Sequence, residues 1–319
     1  MQFILSFLSK EMSIGGIKMK LDIKSYIATE KELLKERIKS LHRPPRLLIV
    51  QVGNDSASNA YIKGKIKDAE ELGIHYCLTQ YPESVSEKTL QESICKQSLI
   101  YDGVIIQEPI MTDIKDKQEF LKLCFASRKD VDGFLDNSKY TPCTPKGIIN
   151  YLKKLLSIEN FRGKVITVVG RGFLVGRPLI QILNDLGATT ICCNSATSKG
   201  DLRTFCLMSD IIITATGQPN LIDKDMLRHN ANTIIIDAGI YVDDNGKLQG
   251  DCNKEIYDMK NIKVTPVPGG VGLLTRLALM ENVTEAAYKN LSTKDCMPLL
   301  EQEQENWERT AQAGYENCI

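Results

Sequence analysis

Short apolar runs alternate with longer amphipathic segments along most of the chain. The first run, at 46–53, is almost entirely apolar and closes on a glycine, which is typical of a strand. Strands are predicted at 46–53, 75–81, 103–107, 165–170, 189–194, 211–215 and 234–240, and helices at 26–40, 57–72, 86–97, 116–125, 145–156, 176–186, 201–208 and 274–290. Strands that are apolar on both faces and separated by helices form parallel sheets covered on both sides. The pattern therefore predicts an α/β protein with two doubly wound domains.

Composition narrows the classes of function. The 40 basic and 40 acidic residues cancel to a formal net charge of zero, which argues against a protein that grips nucleic-acid phosphates. The apolar runs are strand-sized and fall well short of the ~20 residues that a membrane helix needs. Ten cysteines without a Cys-x-x-Cys pair, together with only three histidines, argue against a zinc site and favour the reducing cytoplasm. We expect no nucleic-acid, membrane or metal partner.

A glycine-rich turn lies between the strand at 165–170 and the helix at 176–186. Gly170, Gly172 and Gly176 have the spacing G-x-G-x-x-x-G, and a turn of this kind aims backbone N–H groups at a phosphate. The spacing is one residue longer than the usual dinucleotide fingerprint, so a merely tight turn is the alternative interpretation.

The sequence around this turn favours NADP over NAD as the cofactor. NAD-binding proteins carry an acid that binds the ribose about twenty residues beyond the turn. This chain has Asn194 and Ser195 there, and Arg171 lies within the glycine turn itself. A 2′-phosphate would therefore meet a cation and a hydroxyl instead of a carboxylate.

The first half of the chain holds three sets of polar residues that could carry chemistry. Tyr61 and Lys65 are four residues apart and share one helix face. This pair is either a solvated lysine beside a half-buried tyrosine or a catalytic base that a phenol holds in place. Asp130 and Asp132 fit an ordinary turn or a ligand-binding carboxylate. Gln107 ends a predicted parallel strand, where open sheets bind ligands.

Seven short sequence motifs follow one another along residues 20–290. They are Tyr61-x-x-x-Lys65-x-Lys67, Gln107 before Pro109, Lys129-Asp-Val-Asp-Gly133, Pro142-Cys-Thr-Pro145, Gly170-Arg171 through Val175-Gly176-x-Pro178, Ala215-Thr-Gly-Gln-Pro219 and Thr265-Pro-Val-Pro-Gly-Gly-Val-Gly272. Together they closely resemble the bifunctional methylenetetrahydrofolate dehydrogenase/cyclohydrolase family. Each motif is weak alone, but seven in register are specific.

This resemblance implies that the chain oxidises 5,10-methylenetetrahydrofolate by hydride transfer to NADP and hydrolyses the methenyl product to 10-formyltetrahydrofolate. It implies a homodimer and a deep cleft between the two domains. We place the folate-binding catalytic domain at 19–147, completed by the C-terminal helix 274–290, and a Rossmann-type NADP-binding domain at 148–273. Residues 1–18 are expected to form a disordered extension and residues 291–319 a tail.

The resemblance also assigns roles to individual residues. Lys65 corresponds to the family's catalytic lysine, positioned by Tyr61 and Gln107, and Asp132 to the carboxylate that holds the pterin's aminopyrimidine edge. The other positions carried over are Ser58, Pro268, Gly269 and Gly272 for the folate pocket, and Gly170, Arg171, Gly172, Val175, Gly176, Ser195, Thr216, Gly217 and Ile240 for the cofactor.

Five positions depart from the family's usual residues. They are Glu108 for leucine, Gly172 for serine, Asn194 for histidine, Leu273 for proline and Arg276 for a small apolar residue. A carboxylate close to Lys65 would keep the amine protonated and weaken hydrolysis, although alternation along a strand would turn Glu108 away from Gln107. Two alternatives therefore stay open: a dehydrogenase that uses NAD or has weak or no cyclohydrolase activity, and a folate-binding protein without catalysis.

Overall fold

The computed structural model of the protein describes residues 21–228, 232–243 and 246–292. The extension predicted at 1–18 lies outside the described residues, as does the predicted tail beyond residue 292. Within the described part, no helix combines the length and the apolarity that crossing a membrane requires.

The first sheet has three parallel strands in the order β2-β1-β3. They are β1 (Arg46–Val52), β2 (His75–Tyr81) and β3 (Gly103–Ile106). The central strand is buried at every position because it is paired on both sides and covered on both faces. The helices of this half are α1 (Ile23–Lys39), α2 (Ser56–Leu72), α3 (Glu87–Ser98) and α4 (Lys117–Cys124).

Helix α2 has clear start and stop signals in the sequence. Asp55 is its N-cap, and the Asp55 carboxylate accepts a hydrogen bond from the backbone N–H of Ser58 at 2.7 Å. Gly73 ends the helix in the left-handed conformation, with φ of 73°. These caps fix the length of the helix that carries Tyr61 and Lys65.

The second sheet has five parallel strands in the order β10-β7-β6-β4-β5. Its strands are β4 (Val165–Val169), β5 (Thr189–Cys193), β6 (Ile211–Thr214), β7 (Thr233–Asp237) and β10 (Ile262–Val264), and a separate antiparallel pair is formed by β8 (Tyr241–Val242) and β9 (Leu248–Gln249). The remaining helices are α5 (Cys143–Leu156), α6 (Gly176–Asp185), α7 (Lys199–Met208) and α8 (Val271–Ser292). Although α8 comes last, it packs against α1, α2 and α5, so the chain returns to its first half after the second sheet.

The structure confirms the predicted α/β class with two parallel sheets, and it corrects several local predictions. Helix α5 begins at Cys143 instead of residue 145, because a proline in the first turn of a helix has no hydrogen bond to lose. Helix α8 begins at Val271, inside the predicted glycine loop. Strands β8, β9 and β10 were too short for the apolar pattern to predict. The described residues between β6 and β7 hold only a 3-10 turn, Lys224–Met226, although a strict continuation of the strand–helix alternation would place a helix there. The domain boundaries stay a prediction.

Candidate active site

Lys65, on α2, is the first side chain of the candidate active site. It is 6% exposed, and its Nζ donates a hydrogen bond to Gln107 Oε1 at 3.0 Å. Gln107 directly follows β3, and its Nε2 donates to the carbonyl of Glu108 at 2.9 Å. Because this second bond uses the amide's donor end, the oxygen faces Lys65. A buried, hydrogen-bonded amine is inconsistent with a solvated surface lysine.

The backbone carbonyl of Glu108 ties the start of α2 to the end of β3. The Ser58 hydroxyl, which is buried, donates to this carbonyl at 3.0 Å. The Glu108 side chain instead forms an ion pair with Lys117, with 2.5 Å between Oε1 and Nζ. Strand β3 ends at Ile106, so strand alternation does not set the direction of the Glu108 side chain. The cationic partner of the Glu108 carboxylate is therefore Lys117, the first residue of α4, and not Lys65.

The two aspartates of the 130–133 loop have different surroundings. The Asp130 carboxylate accepts hydrogen bonds from the backbone N–H groups of Gly133 at 3.2 Å and Leu135 at 2.8 Å, so it holds the turn. The Asp132 carboxylate accepts neither of these bonds, although it is also buried. The ordinary-turn interpretation therefore describes the carboxylate of Asp130 and not that of Asp132.

Cys143, which belongs to the motif Pro142-Cys-Thr-Pro145, is buried within electrostatic range of both Asp132 and Lys65. Burial raises the pKa of its thiol well above the usual value, the charge of Asp132 raises it further, and the charge of Lys65 opposes both. Both charges therefore act on one buried atom. Its flanking prolines in Pro142-Cys-Thr-Pro145 were the available signal for its position at the start of α5.

Tyr61 lies one helical turn before Lys65 and is partly buried. A Cβ added at Gly272 would be 3.5 Å from the Tyr61 hydroxyl, so the phenol reaches the start of α8. Burial raises the pKa of Tyr61, so the phenol stays protonated at neutral pH. Among the contacts of the described residues there is no hydrogen bond between Tyr61 and Lys65, and the two share a helix face only.

A cavity of about 370 Å³ lies between elements of the two halves. Six predicted site residues line it, namely Tyr61, Val175, Ile240, Pro268, Gly269 and Gly272. Lys65, Gln107, Asp132 and Ser58 do not line it. Two site residues nevertheless neighbour the cavity along the chain. Lys65 lies one helical turn after Tyr61, and Cys143 directly precedes Thr144; both Tyr61 and Thr144 line the cavity. Asp237 and Arg276 also line the cavity, and the sequence analysis does not include either in the site.

The glycine turn after β4 is shaped by close backbone contacts. Gly170 has φ of 110°, and a Cβ there would lie 2.5 Å from the carbonyl oxygen of Ala215. A Cβ at Gly176 would lie 2.0 Å from the carbonyl oxygen of Gly170. Arg171 and Gly172 are exposed, and Gly172 has no atom within 4 Å of an added Cβ. In the described chain no side chain caps the N-terminus of α6, which suits a turn whose N–H groups receive a phosphate.

The remaining predicted cofactor residues lie on loops beside this turn. Ser195 is exposed after β5, inside a turn in which Asn194 Oδ1 accepts from the N–H of Ala196 at 2.9 Å. Thr216 donates both its backbone N–H and its hydroxyl to Asp251 Oδ2, each at 2.8 Å. Gly217 comes close to Ile240, since an added Cβ would lie 3.3 Å from the Ile240 carbonyl oxygen.

Asp251, which holds the Thr216 loop, is a residue that the sequence did not reveal. It is fully buried, and burial raises its pKa. A Cβ at Gly239 would meet Asp251 Oδ1 at 1.9 Å, so this carboxylate supports two loops beside the cavity. It follows the short β8–β9 pair, where the sequence has no distinctive pattern. Within the described residues no group of three or more histidine, cysteine or acidic side chains is arranged to hold a metal ion.

Two families of known domains match the chain. Residues 14–132 match the tetrahydrofolate dehydrogenase/cyclohydrolase catalytic domain, and residues 142–291 match the NAD(P)-binding domain of the same enzymes. A relative from Mycoplasma capricolum, "Bifunctional protein FolD", is 36% identical over 292 residues, which cover 85% of this chain and 98% of the relative.

Solved structures agree with these matches. The bifunctional enzyme FolD, methylenetetrahydrofolate dehydrogenase/cyclohydrolase, from Campylobacter jejuni is 32% identical with a TM-score of 0.75, over 85% of this chain and 99% of that one. The N5,N10-methylenetetrahydrofolate dehydrogenase-cyclohydrolase from Trypanosoma brucei, complexed with NADP cofactor and an inhibitor, is 25% identical with a TM-score of 0.77, over 86% of this chain and 99% of that one.

A parallel α/β fold with a glycine turn and a buried lysine beside an inter-sheet cavity defines an enzyme that binds a nucleotide cofactor. The chain belongs to the tetrahydrofolate dehydrogenase/cyclohydrolase family. The predictions of the family, of an oxidoreductase and hydrolase of one-carbon folate metabolism, and of a catalytic domain joined to an NAD(P)-binding domain are confirmed.

Proposed function

We propose that this chain oxidises 5,10-methylenetetrahydrofolate with NADP and hydrolyses the methenyl product to 10-formyltetrahydrofolate at one site, with Lys65 as the catalytic base. The observation that carries the proposal is the buried hydrogen bond between Lys65 Nζ and Gln107 Oε1, 3.0 Å long. A lysine is taken out of water at a free-energy cost. Folate binding alone gives no reason for that cost, whereas proton transfer does.

The hydrolytic step requires a proton to leave the water that adds to the amidinium carbon. An uncharged Lys65 Nζ would receive this proton, and the ammonium group so formed would return it as the ring opens. Gln107 accepts a hydrogen bond from Nζ. This bond fixes one N–H of the amine and leaves its other N–H and its lone pair for the substrate. Ser58 and the Gln107 amide share the Glu108 carbonyl, which keeps helix α2 and the end of β3 in fixed relation during the step.

Asp132 is proposed to bind the aminopyrimidine edge of the pterin. A carboxylate accepts two parallel N–H bonds from such an edge, which distinguishes folates from other flat rings. The side chain is only 9% exposed, so the ring would be bound at the inner end of the site. Pro268, Gly269 and Gly272, which line the cavity, would then lie along the substrate.

We assign the dinucleotide to the glycine turn, because only glycine fits its close backbone contacts at 170 and 176 and no side chain caps the N–H groups at the start of α6. NADP, when bound, accepts the hydride from the methylene carbon. Protein side chains need only hold the two reactants together at this step, so positioning supplies the catalysis. We assign the NADP preference to Arg171 and Ser195, which are both exposed where a 2′-phosphate would be bound.

One assay tests the proposal. Purified protein is incubated with methylenetetrahydrofolate and either NADP or NAD, and reduced nicotinamide and methenyltetrahydrofolate are followed by absorbance together. Reduction with NADP, without methenyl product above a no-enzyme hydrolysis control, is the expected result. Accumulation of methenyl product would mean weak hydrolysis, and a lack of reduction with either cofactor would leave only folate binding.

We also propose that the chain forms a homodimer, as the resemblance implies, and that it is located in the cytoplasm. All eight cysteines that the structure describes are free, which is compatible with a reducing compartment. Light scattering during size-exclusion chromatography tests the dimer: twice the 35.7 kDa chain mass is expected, and the mass of a single chain would contradict it.

A further inference from the structure

The cavity wall carries a cation to which the proposed function gives no role. Arg276, on α8, lines the cavity together with Tyr61. It is the one basic residue among the described residues lining that cavity. Its guanidinium lies over Gly64 of α2, since a Cβ added there would be 1.9 Å from Arg276 Nη1. Gly64 directly precedes Lys65. The missing side chain at Gly64 therefore leaves space for the Arg276 guanidinium next to the helical turn that carries Lys65.

The guanidinium is anchored on one side. Arg276 Nε lies 2.8 Å from Asp68 Oδ2, an ion pair that lacks the alignment of a hydrogen bond. The other oxygen, Asp68 Oδ1, accepts a hydrogen bond from Lys31 Nζ at 2.6 Å. Asp68 is buried and therefore fixed in place. Within the described residues the terminal nitrogens of Arg276 make no hydrogen bond, and the side chain keeps 23% of its surface exposed.

We propose that Arg276 binds a carboxylate at the glutamyl end of the folate substrate. This inference rests on the proposed function. A folate has its aminopyrimidine at one end and the α- and γ-carboxylates of glutamate at the other. With the aminopyrimidine at buried Asp132, the glutamyl end extends toward the more exposed part of the cleft, where Arg276 is the available cation. A guanidinium presents paired N–H donors that match a carboxylate.

The test compares two substrates that differ only in the glutamyl group: methylenetetrahydrofolate and methylenetetrahydropteroate, which lacks it. For the unaltered protein we expect the KM of the pteroate substrate to be about tenfold higher, equivalent to ~1.4 kcal/mol. In Arg276→Val this ratio of KM values should fall to about one, because the variant no longer distinguishes the two substrates. An unchanged ratio in the variant would overturn the proposal.

Two further variants keep the result interpretable. Arg276→Val leaves buried Asp68 with one cation fewer, so the double variant Asp68→Ala/Arg276→Val removes both partners of the ion pair and should lose the tail preference equally. Lys63→Ala removes one positive charge from an exposed position on α2, the helix that carries Asp68, and its tail preference should stay as in the unaltered protein. Loss of the preference in Lys63→Ala would assign it to overall charge and contradict a role for Arg276.

Equilibrium binding separates failure of this inference from failure of the proposed function. Titration with tetrahydrofolate and tetrahydropteroate needs no turnover. Absent turnover with tighter binding of tetrahydrofolate, lost in Arg276→Val, would contradict the catalytic proposal and support the carboxylate contact. Equal binding of both compounds by the unaltered protein would contradict the contact, whatever the activity.

Discussion

The two candidate binding regions of this molecule differ in composition: one is formed mainly by side chains and the other mainly by backbone. Beside the three-stranded sheet, the candidate site consists of side chains, with Lys65 and Asp132 both under 10% exposed. Beside the five-stranded sheet, it consists of backbone, with two glycines in close contact and an exposed Arg171. Proton transfer requires one atom held at one place, whereas a phosphate is bound by several N–H groups and by the absence of side chains.

This difference predicts how substitutions should act. In the side-chain region, removal of the Lys65 amine should abolish a chemical step and leave folate binding intact. In the backbone region, addition of an atom at a closely packed glycine such as Gly176 should weaken cofactor binding and leave the hydrolytic step intact. The following four variants test this division, in order of decreasing expected effect.

Lys65→Met tests the side-chain region. Methionine keeps much of the length and apolar character of the lysine stem but has no amine, so we expect cyclohydrolase activity to fall by roughly 10²- to 10⁴-fold, the usual range for a general base. Folate affinity, measured by equilibrium titration, should change little. Hydrolysis that persists in this variant would assign the base to another group.

The matched control is Lys63→Met, an exposed lysine two residues earlier on α2. Its hydrolysis rate should equal that of the unaltered protein. A comparable loss in Lys63→Met would show that the helix tolerates no such substitution, and the effect at Lys65 would then be structural.

Gly176→Ala tests the backbone region. The added methyl would lie 2.0 Å from the Gly170 carbonyl oxygen, so the turn must shift at a cost of ~1–3 kcal/mol. We expect NADP affinity to fall roughly ten- to hundredfold, while hydrolysis of methenyltetrahydrofolate supplied directly is retained. The control Gly200→Ala, in α7, adds the same methyl where the nearest atom is 3.8 Å away and should leave both quantities unchanged.

The sequence predicted these two regions to different depths. It predicted the strand, turn and helix of the backbone region, because glycines and an apolar strand leave local patterns at Gly170 and Gly176, while the cofactor role of this turn stays a prediction. It named Lys65, Gln107 and Asp132 through family motifs, since residues so far apart in the chain leave no local signal that they meet. Pattern reasoning did not reveal Asp251, whose role depends on a loop contact with Thr216 across the fold.

Gly172→Ser should produce a smaller effect, in the direction of tighter binding. The position is open, with no atom within 4 Å of an added Cβ and no positive φ, so serine fits without strain. Its hydroxyl adds a donor near the proposed phosphate site, and a net hydrogen bond of ~1 kcal/mol corresponds to about fivefold tighter binding of NADP. Dissociation constants of NADP and NAD measure this effect. An equal gain in affinity for both cofactors would place the serine contact at the pyrophosphate. Weaker binding of both cofactors would contradict the prediction that serine fits this position without strain.

Glu108→Leu should have the smallest effect, because the site uses the Glu108 backbone and not its side chain. Ser58 and Gln107 bind the carbonyl oxygen, which leucine retains, and the carboxylate is already paired with Lys117 at 2.5 Å. We expect cyclohydrolase activity within twofold of the unaltered protein and a stability loss of at most ~1 kcal/mol, as for partly exposed ion pairs. The variant Lys117→Met makes the comparison sharper, since it frees the carboxylate and keeps its charge. Slower hydrolysis in Lys117→Met with none in Glu108→Leu would mean that Lys117 keeps this carboxylate away from Lys65, whereas a large gain in Glu108→Leu would show that the carboxylate impairs hydrolysis even when paired.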